Sequence, residues 1–260
     1  MEKHLLTLIF LLLLVDVINN LVRLWKNTKL LRNFGSLLGW LTFVSFLGLM
    51  SFRIIAAHRA PFANMYEFTL LFTGFILIIS IILRRTLLSP LFDLAVTLLL
   101  LVLLAVTSTI SADLQPLMPA LQSNWLHIHV ATAIIAYGAF AAAFCLGIVY
   151  LAKSPDSTHE LQQIDQRIYR LVVLGFTFLT FVIITGAIWA EQAWGNWWSW
   201  DPKETWSLIT WIVYAVYLHA RSSRQWKGRK TIWIVVIGFL VVLFTLFGVS
   251  ILLPGLHSYA

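Results

Sequence analysis

Residues 194–206 read WGNWWSWDPKETW, five tryptophans in thirteen positions, interleaved with Asp201, Lys203 and Glu204. Indole rings gathered this densely offer a flat apolar surface with an N–H donor at its edge. Tryptophan does collect at membrane–water interfaces, which accounts for single residues such as Trp25 or Trp40. It accounts poorly for Trp194, Trp197, Trp198 and Trp200 beside Asp201. A cluster of this kind on a turn reads better as a platform for something large, flat and apolar. The other reactive side chain is histidine, of which there are seven. His127 and His129 stand in LQSNWLHIHV, and His257 stands in the terminal GLHSYA. Neutral imidazole ligates metals through nitrogen, the iron of a haem-type macrocycle among them. Residues two apart on a helix point about 200° apart, so His127 and His129 cannot serve one ligand alike. Each of these histidines alone reads as an interfacial or hydrogen-bonded residue. Histidines from two helices, flanking a tryptophan platform, favour a metal macrocycle approached from opposite faces.

His219, in WIVYAVYLHARSSR, lies eighteen residues beyond Asp201. At about 1.5 Å per helical residue that is about 27 Å, nearly the hydrocarbon thickness of a bilayer. It reads either as an imidazole snorkelling to headgroups beside Arg221, or as a ligand at the far end of a transmembrane path. His58, near Arg59 and Glu67, reads as a polar cap, and His4 and His159 as solvated residues. The single cysteine, Cys145 in AAAFCLGIVY, excludes a disulfide or a C-x-x-C motif within one chain and reads as a small packing residue.

The elements that must position these residues are set by composition. The 260 residues are 60% hydrophobic and 11% charged, with mean hydropathy +0.87. Soluble domains carry roughly 45–50% apolar and about 25% charged residues, so the bilayer is the solvent here. Eight stretches approach the ~20 apolar residues that a spanning helix needs: about 5–25, 36–56, 65–83, 91–110, 128–152, 168–190, 204–221 and 232–253. The expected fold is all-α, a polytopic integral membrane protein of about eight transmembrane helices, one membrane domain over residues 1–260 without an internal repeat. The run after Val15 lacks an A-x-A cleavage site, so the first stretch is expected to remain as a helix. Asp16, Asn19, Asn20 and Arg23 fall on one stripe of that helix, which should face protein or headgroups rather than lipid tails.

The net charge of +7 reports topology rather than a nucleic-acid partner. Of 18 Lys and Arg, 14 lie in or beside four alternate connections, around Arg23–Arg32, Arg84–Arg85, Lys153–Arg170 and Arg221–Lys230. The positive-inside rule places those connections in the cytoplasm, and puts both termini and the tryptophan-rich loop at 191–205 on the outer side. Within that loop, Asp201 followed by Pro202 and Glu204 is a D-x-x-E capping box with proline at the first helical position, so the seventh helix begins there.

The combination HRAPFANMYE, LQSNWLHIHV, WGNWWSWDPKETWSLITW, YLHAR and GLHSY resembles the CcsA/ResC-type cytochrome c biogenesis proteins of System II, a haem-handling family with a WWD domain. The resemblance covers about residues 50–260. It implies that haem b, as substrate, lies on the loop from Trp194 to Asp201, over Trp194, Trp197, Trp198 and Trp200. It implies that His129 and His257 are the axial iron ligands and that His219 is a transient ligand for haem crossing the membrane. His127 falls outside the family pattern. The implied partners are a CcsB/ResB-type synthase subunit and an apocytochrome c presenting its C-x-x-C-H segment, the whole being a holocytochrome c synthase, or haem lyase. Lys203 and Arg59 are candidates for the propionates. The implied location is the bacterial cytoplasmic or thylakoid membrane. The alternatives are a CcmC-like protein that delivers haem to a chaperone, a small-solute transporter subunit, and a structural assembly factor whose tryptophans form a belt.

Overall fold

The computed structural model describes residues 1–114, 118–154, 157–222, 226, 228–253 and 255. Among these the chain is all helical, with eight long helices: α1 Glu2–Trp25, α2 Lys29–Ala57, α3 Met65–Leu87, α4 Pro90–Thr109, α5 Asn124–Ala152, α6 Thr158–Trp194, α7 Pro202–Ser222 and α8 Arg229–Leu252. Seven are long and apolar enough to cross a membrane; α7 is as long but carries more polar residues. The protein is a multi-pass membrane protein. The helices extend the apolar stretches by a turn or more at several ends, because polar first and last turns remain helical while reaching past the hydrocarbon.

Helix starts follow from capping side chains. Thr28, Asn64, Ser89, Ser123 and Asp201 each accept a hydrogen bond from a backbone N–H of the first turn that follows. Pro90 and Pro202 occupy first helical positions, where a missing N–H costs nothing.

The chain forms two compact units, Met1–Gln115 and Pro116–Ala260. In the first, α1 packs on α2 and α4, and α3 closes the ring between them. Asp16, Asn19, Asn20 and Arg23 all face inward, as their stripe predicts. Their partners include two residues that sequence alone assigns to the edge of a connection or the start of a span. Arg23 Nη1 bonds Asp93 Oδ2 at 2.6 Å, and Arg84 Nη2 bonds Asp16 Oδ2 at 2.6 Å. At the opposite end Arg53, fully buried, pairs with Glu67 and Glu2 and lies 4.5 Å from the centre of the Tyr66 ring. Charges inside an apolar bundle persist only when paired and hydrogen-bonded, and here each sits in a net-neutral set.

The second unit has the same ring order: α5 packs on α6 and α8, and α7 lies between α6 and α8. α5 supplies a seam of small residues, Ala136, Ala139, Ala141, Ala142 and Ala143, all buried, that lets neighbouring backbones approach. Cys145 is buried in the same helix. Near its end α8 contains a π-helical turn, Phe244–Gly248. There Thr245 bonds Thr210 of α7 at 3.1 Å, and the Phe244 ring meets Trp206 at 4.3 Å.

Candidate functional site

The tryptophan-rich loop joins α6 to α7. α6 ends because Gly195 takes a left-handed backbone (φ 74°), and its N–H closes on the Glu191 carbonyl at 2.9 Å. α7 begins with the predicted capping box. Asp201 Oδ1 accepts from the Lys203 N–H at 2.9 Å, while Glu204 Oε2 accepts from the Asp201 N–H at 3.1 Å and the Ser199 N–H at 2.8 Å. Between these two anchors Trp200 is held at φ 60°, a left-handed conformation rare for a bulky side chain. The loop is thus fixed at both ends and strained where it enters the cap of α7.

That geometry leaves the rings outside the packed bundle. Trp197 and Trp200 are 58% and 68% exposed, whereas Trp194 and Trp198 are half-buried. Trp198 and Trp200 meet edge to face at 5.7 Å. Asp201, despite its loop position, is buried at 6% exposure. Lys203, in the first turn of α7 and ahead of the 204–221 stretch, is half-buried. Burial pushes its ammonium down to about 8, and the Asp201 carboxylate pulls weakly the other way.

His129, in the first turns of α5, is brought to this loop through a residue outside the predicted site. Its ring stacks on Trp189 at 6.2 Å, and Trp189 meets Trp194 edge-on at 4.8 Å. Trp189 is buried and donates its indole N–H to the Ala120 carbonyl at 2.9 Å, so it cannot turn away. His129 Nδ1 lies 2.9 Å from the Val182 carbonyl, an acceptor only, so Nδ1 carries the proton and Nε2 the lone pair. The Nδ1–Cε1 side of the imidazole also lies close against Gly186: a methyl there would stand 2.9 Å from both atoms. Trp189, Val182 and Gly186 all sit on α6 inside an apolar run, where sequence offers no mark separating them from core.

The remaining site residues fall as follows. His219 lies in the last turn of α7 and is exposed, on the stripe of Ile212 and Val216 rather than the face carrying Tyr214 and Tyr217 into the core. Beside it in sequence, Arg221 pairs with Asp165 and covers the Tyr169 ring at 4.8 Å. His257 lies outside the described residues. Gly255, two positions before it, lies against Asp201. His58 and Arg59 belong to the first unit. His58 ends α2 with a left-handed backbone, and Arg59 bonds Glu67 at 2.8 Å, which commits that guanidinium to an ion pair.

Comparison with known proteins agrees with this pattern. The family model described as cytochrome C assembly protein matches residues 34–257, taking in the loop and the segments carrying His129 and His219. The cytochrome c biogenesis protein CcsA of Mesostigma viride is 35% identical over 289 residues, covering 96% of this chain and 93% of that protein. CcsA of Guillardia theta is 35% identical over 264 residues, covering 90% and 87%. CcsA of Chlamydomonas reinhardtii is 47% identical over a shorter 151 residues, covering 55% and 43%. Among solved structures, the cytochrome c haem lyase CcmF superposes with TM-score 0.73 over 95% of this chain and 46% of its own, at 17% identity, a likeness of fold. With a family match over most of its length and relatives aligned nearly end to end, the chain belongs to the cytochrome c assembly protein family, alongside the CcsA proteins.

Proposed function

We propose that this chain holds haem b as substrate on the tryptophan loop, at the outer face of the membrane, for covalent attachment to apocytochrome c. In this reading it is the CcsA-type subunit of a System II holocytochrome c synthase and works with a CcsB/ResB-type partner. The observation that supports it most is the chain of ring contacts His129–Trp189–Trp194, stacked at the first and edge-on at the second, which joins a candidate iron ligand to the platform. Exposed Trp197 and Trp200 offer apolar ring area to a flat molecule. The Val182 carbonyl fixes the tautomer with the lone pair on Nε2, the form that ligates iron, and holds the ring as outer-shell partners do in metal sites. His257 supplies the second axial nitrogen. Lys203, in the first turn of α7 beside the loop, offers a cation to a propionate.

The chemistry is addition of each apocytochrome thiol across a haem vinyl: sulfur bonds one carbon and the proton goes to the other. The chain's share is positioning and exclusion of water, since its only cysteine is buried in α5. His219 meets haem at the opposite end of α7, and its exposed setting leaves the second ligand to come from outside this unit.

The test is covalent cytochrome c formation in cells supplying this chain, its partner subunit and an apocytochrome, read by haem stain on a denaturing gel. Wild type should yield a stained cytochrome band. His129→Ala and a combined Trp197→Ala/Trp200→Ala variant should abolish or strongly reduce it at unchanged membrane levels. Undiminished staining in both variants would reject the loop as the haem platform.

A further inference from the structure

The inward stripe of α1 carries one side chain that the rest of the first unit does not answer. Asn19 is 5% exposed, and among the described residues neither its Oδ1 nor its Nδ2 has a hydrogen-bond partner. Its neighbours on the stripe are served. Asn20 accepts from Arg23 at 2.9 Å and donates to Thr97 at 3.4 Å, and Arg23 reaches Asp93 at 2.6 Å. Asp16 is half served: Oδ2 meets Arg84 at 2.6 Å and the Thr97 hydroxyl at 2.9 Å, while its buried Oδ1 has no partner among the described residues. Asp93 Oδ1 and Arg84 Nε, by contrast, at least face each other at 3.4 Å. The loose ends of Asn19 and Asp16 lie together. A Cβ built on Gly35 of α2 would stand 2.8 Å from Asn19 Nδ2 and 3.4 Å from Asp16 Oδ1, so both atoms gather over that bare Cα. Buried polar atoms left without a partner are costly, and ordered water is their usual remedy. Charge and valence say what fits. Arg23 and Arg84 already cancel Asp93 and Asp16, so an added ion would bring a net charge into an apolar bundle. Nδ2 needs an acceptor, and the two oxygens need donors. The small neutral molecule that does both is water.

We propose that Asn19, Asp16 and Gly35 form a binding site for ordered water inside the first unit. The water accepts from Asn19 Nδ2 and donates to Asp16 Oδ1, and Asn19 Oδ1 takes a further water proton. A methyl at position 35 would press on Asn19 Nδ2 and shut the water out, which gives the glycine its reason. The polar stripe of α1 is then joined to α2 by solvent, as it is joined to α3 and α4 by the Arg84–Asp16 and Arg23–Asp93 pairs. The site lies wholly within the first unit and depends neither on haem nor on the tryptophan loop.

The experiment uses the full chain with its partner subunit in lipid bilayers, with isotope-labelled asparagine. One arm follows magnetisation passing from water to side-chain amides by solid-state NMR, the Asn19 signal being the one that Asn19→Leu removes. Asn20 is the internal control, since it is as deeply buried but bonded within the protein. In wild type the Asn19 signal should build up several-fold faster than that of Asn20, and Gly35→Ala should bring it down to the Asn20 rate. The other arm compares melting temperatures of wild type and Asn19→Leu. With water bound, the variant strips Asp16 Oδ1 of its donor and should melt several degrees lower. A dry site predicts the opposite sign, because leucine would replace an unpaired buried amide with an apolar group. Equal build-up at the two asparagines, build-up at Asn19 that survives Gly35→Ala, or a melting temperature that holds or rises in Asn19→Leu would overturn the proposal. Should Gly35→Ala fail to assemble, the comparison of Asn19 with Asn20 in wild type still decides.

Discussion

At the scale of single residues, the site depends on how α6 holds one imidazole of α5. Gly186→Ala places a methyl 2.9 Å from the His129 ring, so the ring must leave the Val182 carbonyl or its stack on Trp189. Haem affinity of the purified chain with its partner should fall about tenfold or more in a spectral titration, with secondary structure unchanged, the scale on which outer-shell changes act. Lys203 gives a second residue-level prediction. Burial lowers its folded value to about 8 from an ordinary 10.5, so the folded state binds fewer protons than the unfolded between those values. The cost of the buried ammonium is therefore fully present below pH 8, and stability rises as pH climbs from about 8 towards 10.5. Amine-labelling rates at Lys203, read by mass spectrometry against pH, should show a midpoint near 8, and a midpoint above about 10 would contradict its half-buried setting. Spacing alone left His127 and His129 as alternatives, and His129 was singled out only by its resemblance to the family pattern. Trp189 and Gly186 were not legible, because their roles arise from contacts between helices that no local pattern records.

At the scale of elements, the capping box is the hinge between loop and helix. Asp201→Ala removes the acceptor of the Lys203 N–H and should destabilise the start of α7 by about 1 kcal/mol, whereas Asp201→Asn, which can cap, should cost less. Amide exchange at Lys203 and Thr205 would separate the two: faster exchange in the alanine variant only is the expected outcome. This element was readable in advance, since D-P-x-E carries its mechanism in its letters. The π-helical turn in α8 was not, because one extra residue per turn leaves no signature in an apolar run of valine, leucine and phenylalanine. The α7 face bearing His219 was likewise undetermined, because imidazole suits either a core or an interface.

At the scale of the whole chain, each four-helix unit is held by apolar packing, and the first also by its two buried ion sets. Arg23→Leu leaves the buried Asp93 with a single arginine, Arg84 at 3.4 Å. Leaving a buried charge short of its partner costs about 3–5 kcal/mol, so the melting temperature of the detergent-solubilised chain should drop by several degrees. An unchanged melting temperature would mean that water reaches Asp93. Composition dictated the membrane setting, because a 60% hydrophobic chain has no other solvent, while the apolar stretches marked the eight long helices, seven of them apolar enough to cross. The inward stripe of α1 was legible from four polar residues at helical spacing. Its partners on α3 and α4 were hidden, since Arg84 also reads as a topology signal at the edge of a connection. The division into two rings escaped the sequence because the helices repeat an arrangement of packing without repeating residues.

We propose that His129 and His257 hold haem over the tryptophan loop. The most direct measurement is the absorption spectrum of the chain purified with its partner subunit, as isolated and after reduction, for wild type, His129→Ala and His257→Ala. Wild type should show a Soret band and sharp reduced bands of six-coordinate haem, weakened or shifted in each variant and restored in part by imidazole. A wild-type complex without haem despite ample supply, or variants whose spectra match wild type, would contradict it.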